Sequence, residues 1–289
     1  MRLSTQTDTI MKAYGLDKAV DIFAEAGYDA IDMSFFRESE YGETNMEFFK
    51  EIRKKAEDKG LCFNQAHAPF PSNFEDDALT KKRFDEITHS MKIASVLGVE
   101  NIVVHPCHHL VYGAPGAAEQ LFEINMDFYS RLKPCCEEYG IHVAVENMWQ
   151  YYGDSLKITH STCSRSAEMI RYVDTLNSEW FVACLDIGHA MLVCEDPAMF
   201  IKALGKKRLR ALHVHDVDGT NDSHVLPYFG IGDWTGIMSA LGEIGYEGDL
   251  TFESDCFFSR KPEELYPAGA KFMVQTGRAL IKIAENAAK

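Results

Sequence analysis

One sequence pattern recurs along the whole chain: a short apolar run, a polar break, and then an amphipathic helix that ends near a glycine. In its first clear copy, Leu16, Val20 and Phe23 recur at helical spacing, and Gly27 is placed to end the helix. The strand-like run YDAIDMSF then follows. Strands that alternate with helices and are largely apolar pair in parallel and are covered by those helices. The alternation therefore predicts an α/β fold built on a parallel sheet.

Eight such strands are predicted, and this number favours closure into a (β/α)8 barrel, the TIM barrel. They are RLSTQT, AIDMSF, LCFNQAH, NIVVHP, HVAVEN, FVACLD, ALHVHD and DLTFES, and a final helix follows in GAKFMVQTGRALIKIAENAAK. The competing architecture, an open doubly wound sheet, usually carries a glycine-rich phosphate-binding turn after its first strand, and none follows RLSTQT. No linker or low-complexity segment divides the chain, so we predict a single domain over residues 1–289 and no nucleotide cofactor.

The composition is that of an ordinary globular protein with a strongly acidic balance. Of 289 residues, 46% are hydrophobic and 25% are charged, and the net charge is -15. An acidic balance disfavours docking to nucleic acid or to anionic membranes. No stretch approaches the ~20 apolar residues of a membrane span, and the eight cysteines form no CxxC pair. We therefore expect a cytoplasmic protein with reduced cysteines that binds neither nucleic acid nor membrane.

Ionisable side chains accumulate where the predicted strands end. Six successive strands, from the third to the eighth, finish with such groups: His67, His105, Glu146, Asp186 followed by His189, the pair His213 and His215, and Glu253. Active sites of TIM barrels lie at the carboxyl ends of the strands, and residues two apart on a strand face the same side. One such residue is uninformative, but six on adjacent strands at the same end predict a functional site.

These groups favour a metal site. Two glutamates and an aspartate placed around one point would repel one another without a cation. Carboxylates combined with one imidazole suit Mn²⁺, Mg²⁺, Co²⁺ or Zn²⁺, and the oxygen-rich set leans towards Mn²⁺ or Mg²⁺. No cysteine ends a strand in this series, which argues against a thiolate zinc site. The residues therefore predict one divalent metal at the mouth of the barrel.

The motifs VAVEN, LDIGHA, HVHDVDG with the following DSH, and LTFES resemble those of the sugar phosphate isomerase/epimerase family. That family belongs to the xylose isomerase-like TIM barrels, which are related to endonuclease IV. The resemblance covers nearly the whole chain and implies metal ligands at Glu146, Asp186, His215 and Glu253, with Glu146 and Glu253 also catalytic. His189, in a D-x-x-H arrangement, matches a residue that contacts substrate or a further metal.

Two positions depart from the ketose 3-epimerases of this family. Tyr152 stands where those enzymes carry a second substrate-binding glutamate, and Asn221 stands where they carry an arginine. The resemblance therefore does not select a free-ketose epimerase.

Other residues resemble the endonuclease IV enzymes. Those enzymes bind several metals with histidines that end strands three and four and a D-x-H pair after strand seven, which correspond here to His67, His105 and Asp222-x-His224. A second metal is therefore possible, although the acidic balance and the lack of a basic, aromatic-rich loop disfavour DNA. In sugar-handling relatives such histidines hold substrate hydroxyls. The substrate-binding residues that we expect are His67, His105, His189, Asp222, His224 and Trp149, on whose ring a sugar can stack.

The expected function is an isomerase or epimerase that acts on a sugar, sugar phosphate or cyclitol by proton transfer α to a carbonyl, through a metal-stabilised enediolate. Three alternatives remain: a dehydratase or lyase that uses the same site on a keto-sugar or inosose, an endonuclease IV-like abasic-site nuclease, and an inactive sugar-binding subunit. The identity and number of the metals, the phosphorylation of the substrate and the existence of a homo-oligomer are left open.

Overall fold

The computed structural model describes residues 1–42, 45–74, 76–153 and 155–289. The strands are β1 (Leu3–Thr5), β2 (Ala30–Ser34), β3 (Cys62–His67), β4 (Asn101–Val104), β5 (His142–Glu146), β6 (Trp149–Tyr151), β7 (Ile158–His160), β8 (Phe181–Asp186), β9 (Leu209–His213) and β10 (Leu250–Phe252). The helices are α1 (Asp8–Tyr14), α2 (Leu16–Ala26), α3 (Glu38–Tyr41), α4 (Met46–Asp58), α5 (Asp77–Leu97), α6 (Ala117–Tyr139), α7 (Ser166–Leu176), α8 (Ile187–Leu192), α9 (Pro197–Arg208), α10 (Trp234–Glu243) and α11 (Tyr266–Ala287).

Eight parallel strands close into a barrel. Six of them are hydrogen-bonded in the order β2-β3-β4-β5-β8-β9, and β1 pairs with β10. Two single parallel bridges, Gln6 with Asp32 and Val214 with Phe252, join these two sheets. At the second junction the N–H of Glu253 donates to the carbonyl of Val214 at 3.1 Å. The predicted (β/α)8 fold is confirmed.

The outer helices end where the sequence predicts that they end. Gly27 has a φ of 99° and closes α2, with its N–H donating to the carbonyls of Phe23 and Ala24. At the start of α5, the side chain of Asp76 accepts a hydrogen bond from the N–H of Leu79. Within the described ranges, none of these helices combines the length and apolarity needed to cross a bilayer.

A short antiparallel hairpin, formed by β6 and β7, lies between β5 and α7 and is not predicted by the sequence. Each of its strands has three residues, which is too short for an alternating pattern to distinguish it from a loop. The hairpin pairs Trp149 with His160 and so holds the tryptophan beside the carboxyl end of β5.

The hydrophobic core has two parts. The larger part packs the helices against the outside of the barrel and contains the fully buried Phe23, Tyr129 and Trp234. The smaller part contains Val103, Ala144, Val182, Cys184 and Ala211. Ala144 and Cys184 each lie two residues before an acidic residue, so the acidic side chains lie on the same face of the sheet as this smaller core. The barrel interior therefore changes from an apolar floor to an ionisable mouth.

Candidate active site

Four side chains converge at the carboxyl ends of the adjacent strands β5, β8, β9 and β10. Glu146, Asp186, His213 and Glu253 each offer a ligand atom within 4.8 Å of the others, and we call them the central group. His213 Nδ1 lies 2.8 Å from Glu146 Oε1 and 3.0 Å from Glu253 Oε2. All four residues are buried. Three carboxylates at this depth make a desolvated site that requires compensating positive charge.

The histidine of the central group is His213, whereas the sequence resemblance assigns His215. Across β8 and β9, Asp186 pairs directly with His213, because the register shifts between Ala183 and Cys184. His215 lies two residues farther along the chain, about 7 Å beyond His213 at the rise of an extended strand. Its Nε2 lies 3.0 Å from Asp186 Oδ1, on the outer side of the group. The central group therefore contains His213, whereas His215, the ligand that the resemblance implies, contacts the same Asp186 from another side of the site and stays a prediction.

Asp32 on β2 contacts the opposite edge of the His213 ring. Its Oδ2 lies 3.7 Å from His213 Nε2 and accepts a hydrogen bond from Gln65 Nε2 at 2.9 Å. Burial raises the pKa of Asp32, although His213 opposes the shift. At this distance the carboxyl group makes an electrostatic contact with the ring and no directed hydrogen bond.

A second group shares Glu146 with the central group. His67 at the end of β3 and His105 just after β4 offer ligand atoms within 4.8 Å of each other and of Glu146. His105 Nε2 lies 2.9 Å from Glu146 Oε2, and the Nε2 atoms of the two histidines are 3.0 Å apart. Glu146 therefore faces His213 with one oxygen and His105 with the other.

A third group lies on the other side of Asp186 and contains His189, His215, Asp222 and His224. Asp222 Oδ2 lies 3.1 Å from His224 Nε2 and 3.4 Å from His189 Nε2. The rings of His215 and His224 stack with their centroids 4.0 Å apart. The three groups bring together nine of the ten predicted site residues, and the tenth, Trp149, donates its Nε1 hydrogen to Asp222 Oδ2 at 3.1 Å.

Four histidines of the site share one hydrogen-bonding pattern, in which Nδ1 contacts a main-chain carbonyl. The pairs are His67 with Ala68 O (2.8 Å), His189 with Asn147 O (2.8 Å), His224 with Glu253 O (2.9 Å) and, at a longer distance, His215 with Asp216 O (3.4 Å). Because a carbonyl oxygen can only accept, Nδ1 carries the proton in each neutral ring and Nε2 presents a lone pair. Metal-binding histidines are oriented in this way.

Two buried carboxylate oxygens, Glu146 Oε2 and Asp222 Oδ1, accept no well-directed hydrogen bond from the residues that the structure describes. A buried carboxylate oxygen without a directed donor is costly even where the other oxygen of the group is paired, and a cation is one partner that removes the cost. The donor types, the ring tautomers and these two oxygens therefore all fit a divalent metal ion.

The LDIGHA motif has a local structural reason. A Cβ atom at Gly188 would lie 2.0 Å from His215 Cε1, so glycine is needed for the close approach of that ring. Asp186 caps α8 by accepting a hydrogen bond from the N–H of His189 at 2.6 Å. The D-x-x-H spacing thus lets one aspartate join the central group and start the helix that places His189 in the third group.

The groups differ in their electrostatic environment. Burial, reinforced by the charge of His105, lowers the pKa of His67 to about 3. Burial acts in the same direction on His189, but the two neighbouring aspartates outweigh it and raise the pKa to about 10. Burial opposes the ionisation of Glu146, yet the flanking histidines hold its pKa well below its usual range. At neutral pH, Glu146 is therefore ionised and His67 is neutral, which are the states that bind a cation.

A cavity of about 560 Å³ opens above the three groups, within the usual size range of small-molecule sites. Glu146 and Glu253 line it, whereas Asp186 and His213 lie behind its wall. Aromatic side chains, among them Trp149, form much of the remaining wall. The two glutamates are therefore the members of the central group that a bound ligand can touch.

The residues that line this cavity without having been predicted from the sequence include Phe36, Phe70, His108 and Asp255. They lie in loops after the strands, where no periodic pattern marks which side chains face inward. The one available signal was the run HPCHH, which places His108 three residues after the strand-end His105. Burial lowers the pKa of His108 to about 4, so its ring is neutral in the cavity at pH 7.

The two positions that depart from the ketose 3-epimerases lie away from the described cavity lining. Tyr152 is 64% exposed at the end of the hairpin strand β6. Asn221 donates to Asp218 Oδ2 at 2.9 Å within its own loop. Neither residue replaces the substrate contact of its counterpart in those enzymes.

The closed barrel with its ionisable cluster at the carboxyl ends of the strands defines a TIM barrel protein whose site is built from strand ends. Its residues 20–276 match the model of the family described as xylose isomerase-like TIM barrel. The chain belongs to this family, which confirms the resemblance seen in the motifs.

Individual relatives are distant. An uncharacterised protein of Methanocaldococcus jannaschii is 27% identical over 194 residues, which are 65% of this chain and 63% of that relative. The match thus spans less than two thirds of the relative's length. Among solved structures, a D-tagatose 3-epimerase-like protein has a TM-score of 0.77 at 20% identity, with 99% of each chain covered. The IOLI protein, solved with a zinc atom, gives the same TM-score, identity and coverage. At these identities the likeness shows the fold.

Proposed function

We propose that this protein is a divalent-metal-dependent isomerase or epimerase that transfers a proton next to a carbonyl group of a sugar or cyclitol. The observation that carries the proposal is the central group, with ligand atoms from four strands within 4.8 Å of one another at a cavity of about 560 Å³. The likeness to an epimerase-like barrel and to a zinc-containing barrel supports it. The oxygen-rich donor set suits Mn²⁺ or Mg²⁺ and also accepts Co²⁺ or Zn²⁺.

The four members of the central group form two pairs according to their position relative to the cavity. Asp186 and His213 lie behind the cavity wall and would hold an ion without touching the substrate. Glu146 and Glu253 would hold the same ion and also reach the substrate. A divalent ion bound there supplies a Lewis acid that stabilises negative charge developing on a substrate oxygen.

The proton transfer is assigned to Glu146 and Glu253. Neighbouring histidines hold the pKa values of both carboxyls below the usual range against the effect of burial, so both are ionised at neutral pH and able to accept a proton. One carboxylate removes the α-proton to give an enediolate. Return of a proton to the opposite face gives an epimer, and return to the adjacent carbon gives an aldose–ketose isomer. His67 and His189 line the same cavity and can hydrogen-bond the oxygens on which charge develops.

The flanking groups extend the proposal to a second ion. His67, His105 and Glu146 offer three donors, and the third group offers four. Because Glu146 belongs both to the second group and to the central group, two ions bound there would share its carboxylate. Without a second ion, the same histidines contact substrate hydroxyls, as the sequence predicts. The metal-to-protein ratio of the purified protein separates these two roles.

Three other functions would use parts of the same site. Loss of a β-hydroxyl from the enediolate would make a dehydratase or lyase. The histidine-rich flanking groups favour an abasic-site nuclease, but no Lys or Arg lies among the described residues that line the cavity, and the net charge is -15. An inactive sugar-binding subunit would bind ligand without reaction.

Hydrogen exchange tests the proposed function. Metal-depleted protein is reloaded with Mn²⁺ and incubated in D₂O with a panel of ketoses and inososes, and the α C–H signals are followed by NMR. We expect metal-dependent loss of one such signal. The variant Glu253→Gln should lower the rate by at least about 100-fold because it removes a base, whereas Glu285→Gln, at an exposed position on α11, should not.

The other functions give different results in the same experiment. Cleavage of abasic DNA without exchange would replace the proposal with the nuclease. An elimination product would indicate the lyase, and saturable binding without any reaction would indicate the binding subunit.

A further inference from the structure

The cavity is larger than one sugar ring needs. Its volume of about 560 Å³ lies in the range of pockets that enclose drug-sized ligands. The two proposed catalytic carboxylates lie in only one part of its wall. The rest of the wall includes four aromatic side chains, Phe36, Phe70, Trp149 and Tyr151.

Phe70 forms one aromatic face of the cavity. Its ring centroid lies 5.3 Å from that of Phe36, 5.4 Å from that of His67 and 4.9 Å from that of His105. The side chain nevertheless remains 44% exposed. An aromatic ring that is fixed by its neighbours and open to a cavity is a surface on which another ring can stack.

Tyr151 forms a second aromatic face, on the hairpin strand β6. Its ring lies 5.0 Å from that of Trp149, and the side chain is 46% exposed. The hydrogen bond from Trp149 Nε1 to Asp222 Oδ2 fixes the orientation of the tryptophan and so of this face. The two aromatic faces follow β3 and β5, which are separated in the barrel by β4.

The cavity is not built for an anionic substituent. Among the described residues that line it there is no Lys or Arg, and a phosphate group is normally held by such cations. The lining instead includes the carboxyl groups of Glu146, Asp222, Glu253 and Asp255. Even with an ion in the central group, a phosphate beside Asp255 would meet no Lys or Arg in that lining, and Nε2 of the lining residue His189 already lies 3.4 Å from Asp222 Oδ2.

We propose that the substrate is an uncharged glycoside whose apolar, ring-sized aglycone lies against Phe70 and Tyr151 while its sugar ring faces Glu146 and Glu253. The position of the carbonyl group follows only if the proposed proton transfer is correct, because that transfer requires a carbonyl group in the substrate. A glycosidic bond blocks the anomeric carbon, so the carbonyl group must be a ketone at another ring carbon. The substrate must then be supplied by a reaction that oxidises a ring alcohol to a ketone.

Binding calorimetry on the metal-loaded protein tests the aglycone site without requiring any reaction. The probes are phenyl and methyl glycosides of glucose and galactose in both anomeric forms, and the 6-phosphates of the methyl glycosides. For the sugar that binds best, we expect the phenyl glycoside to bind about tenfold more tightly than the methyl glycoside, the effect of one aromatic contact. The 6-phosphate should bind no more tightly than its neutral parent.

Substitutions of the two aromatic residues test whether they cause the preference for phenyl glycosides. Phe70→Ala and Tyr151→Ala should each reduce the phenyl-to-methyl affinity ratio by at least about threefold. Phe272→Ala, at an aromatic residue 45% exposed on α11 and outside the cavity lining, should leave the ratio unchanged. Equal affinity for phenyl and methyl glycosides, failure of every neutral glycoside to bind, or tighter binding of a 6-phosphate would overturn the inference.

Deuterium exchange on the ring-ketone forms of the same glycosides separates this inference from the proposed function. A phenyl preference in binding with no exchange on any ketone would refute the proton transfer and leave the aglycone site. Exchange on free or phosphorylated ketoses with no phenyl preference would support the proton transfer and refute the aglycone site.

Discussion

At the scale of single residues, His213 and His215 differ by two positions on one strand, and their surroundings differ sharply. His213 Nδ1 lies within 3.0 Å of both glutamates of the central group. His215 packs against Gly188 on one side and stacks on His224 on the other. The first histidine therefore lies between the two glutamates, and the second lies between Asp186 and the third group.

Replacement of each histidine tests this division. We expect His213→Asn to weaken metal binding at the central group by more than about 100-fold, beyond the usual effect of a residue that only supports a ligand. His215→Asn should weaken it by less than about tenfold, since His215 contacts the group only through Asp186. Metal titration by calorimetry measures both effects, with circular dichroism as the check on folding. A larger loss in His215→Asn would restore the assignment made from sequence.

The sequence could locate this pair but could not choose between its members. Both histidines fall on the inward face of the same predicted strand, because residues two apart share a face. The choice depends on a register shift between β8 and β9 near Cys184, and such a shift has no signature in the apolar run ALHVHD. Glu146, Asp186 and Glu253 could be selected without knowing the register, because each is the single acidic residue at the end of the inward-facing residues of its strand.

At the scale of structural elements, Asp216 organises the segment between β9 and α10. Its Oδ1 accepts hydrogen bonds from the N–H groups of Val217 and Gly232, both at 3.0 Å. Its Oδ2 accepts from Trp234 Nε1 at 2.7 Å and from the N–H of Tyr228 at 3.1 Å. Four bonds to one fully buried carboxylate tie both ends of this segment together, and the segment carries Asp222 and His224 of the third group.

Loss of this carboxylate should therefore destabilise the fold and disturb the third group. We expect Asp216→Ala to lower the free energy of unfolding by about 3 kcal/mol, because four donors, two buried and two partly buried, lose their acceptor. Glu285→Ala, at an exposed position on α11, should change it by less than about 0.5 kcal/mol. Urea unfolding measures both, and equal stability of Asp216→Ala and the wild type would show that the segment is held by other contacts.

The elements themselves were predictable to different degrees. The strands and outer helices follow from long periodic patterns and glycine stops such as Gly27. The hairpin of β6 and β7 has only three residues in each strand, and His108 lies in a loop, so neither carries a periodic signal. The sequence therefore predicted the scaffold and the strand-end part of the site, and missed the part of the cavity wall that loops supply.

At the scale of the whole molecule, closure of the barrel assembles the site. β10 pairs with β1 from the other end of the chain, and the bridge of Val214 with Phe252 sets Glu253 beside β9. The central group therefore combines residues more than 100 positions apart. Eight predicted strands indicated this closure, whereas distances between side chains from different strands depend on registers that one sequence does not reveal.

The excess of acidic residues in the molecule is also found locally at this site. The chain has 44 acidic and 29 basic Lys and Arg residues. Three of the carboxylates lie buried in the central group, and no Lys or Arg lies among the described residues that line the cavity beside it. A divalent cation is the simplest source of the missing positive charge.

Anomalous diffraction from crystals grown with Mn²⁺ or Zn²⁺ shows whether a cation binds the central group. We expect a peak at the absorption edge of the added metal, within about 2.0–2.3 Å of oxygen or nitrogen atoms of the central group, Glu146, Asp186, His213 and Glu253. Saturating metal that gives no peak among these four side chains, or a peak only in the third group, would contradict this expectation.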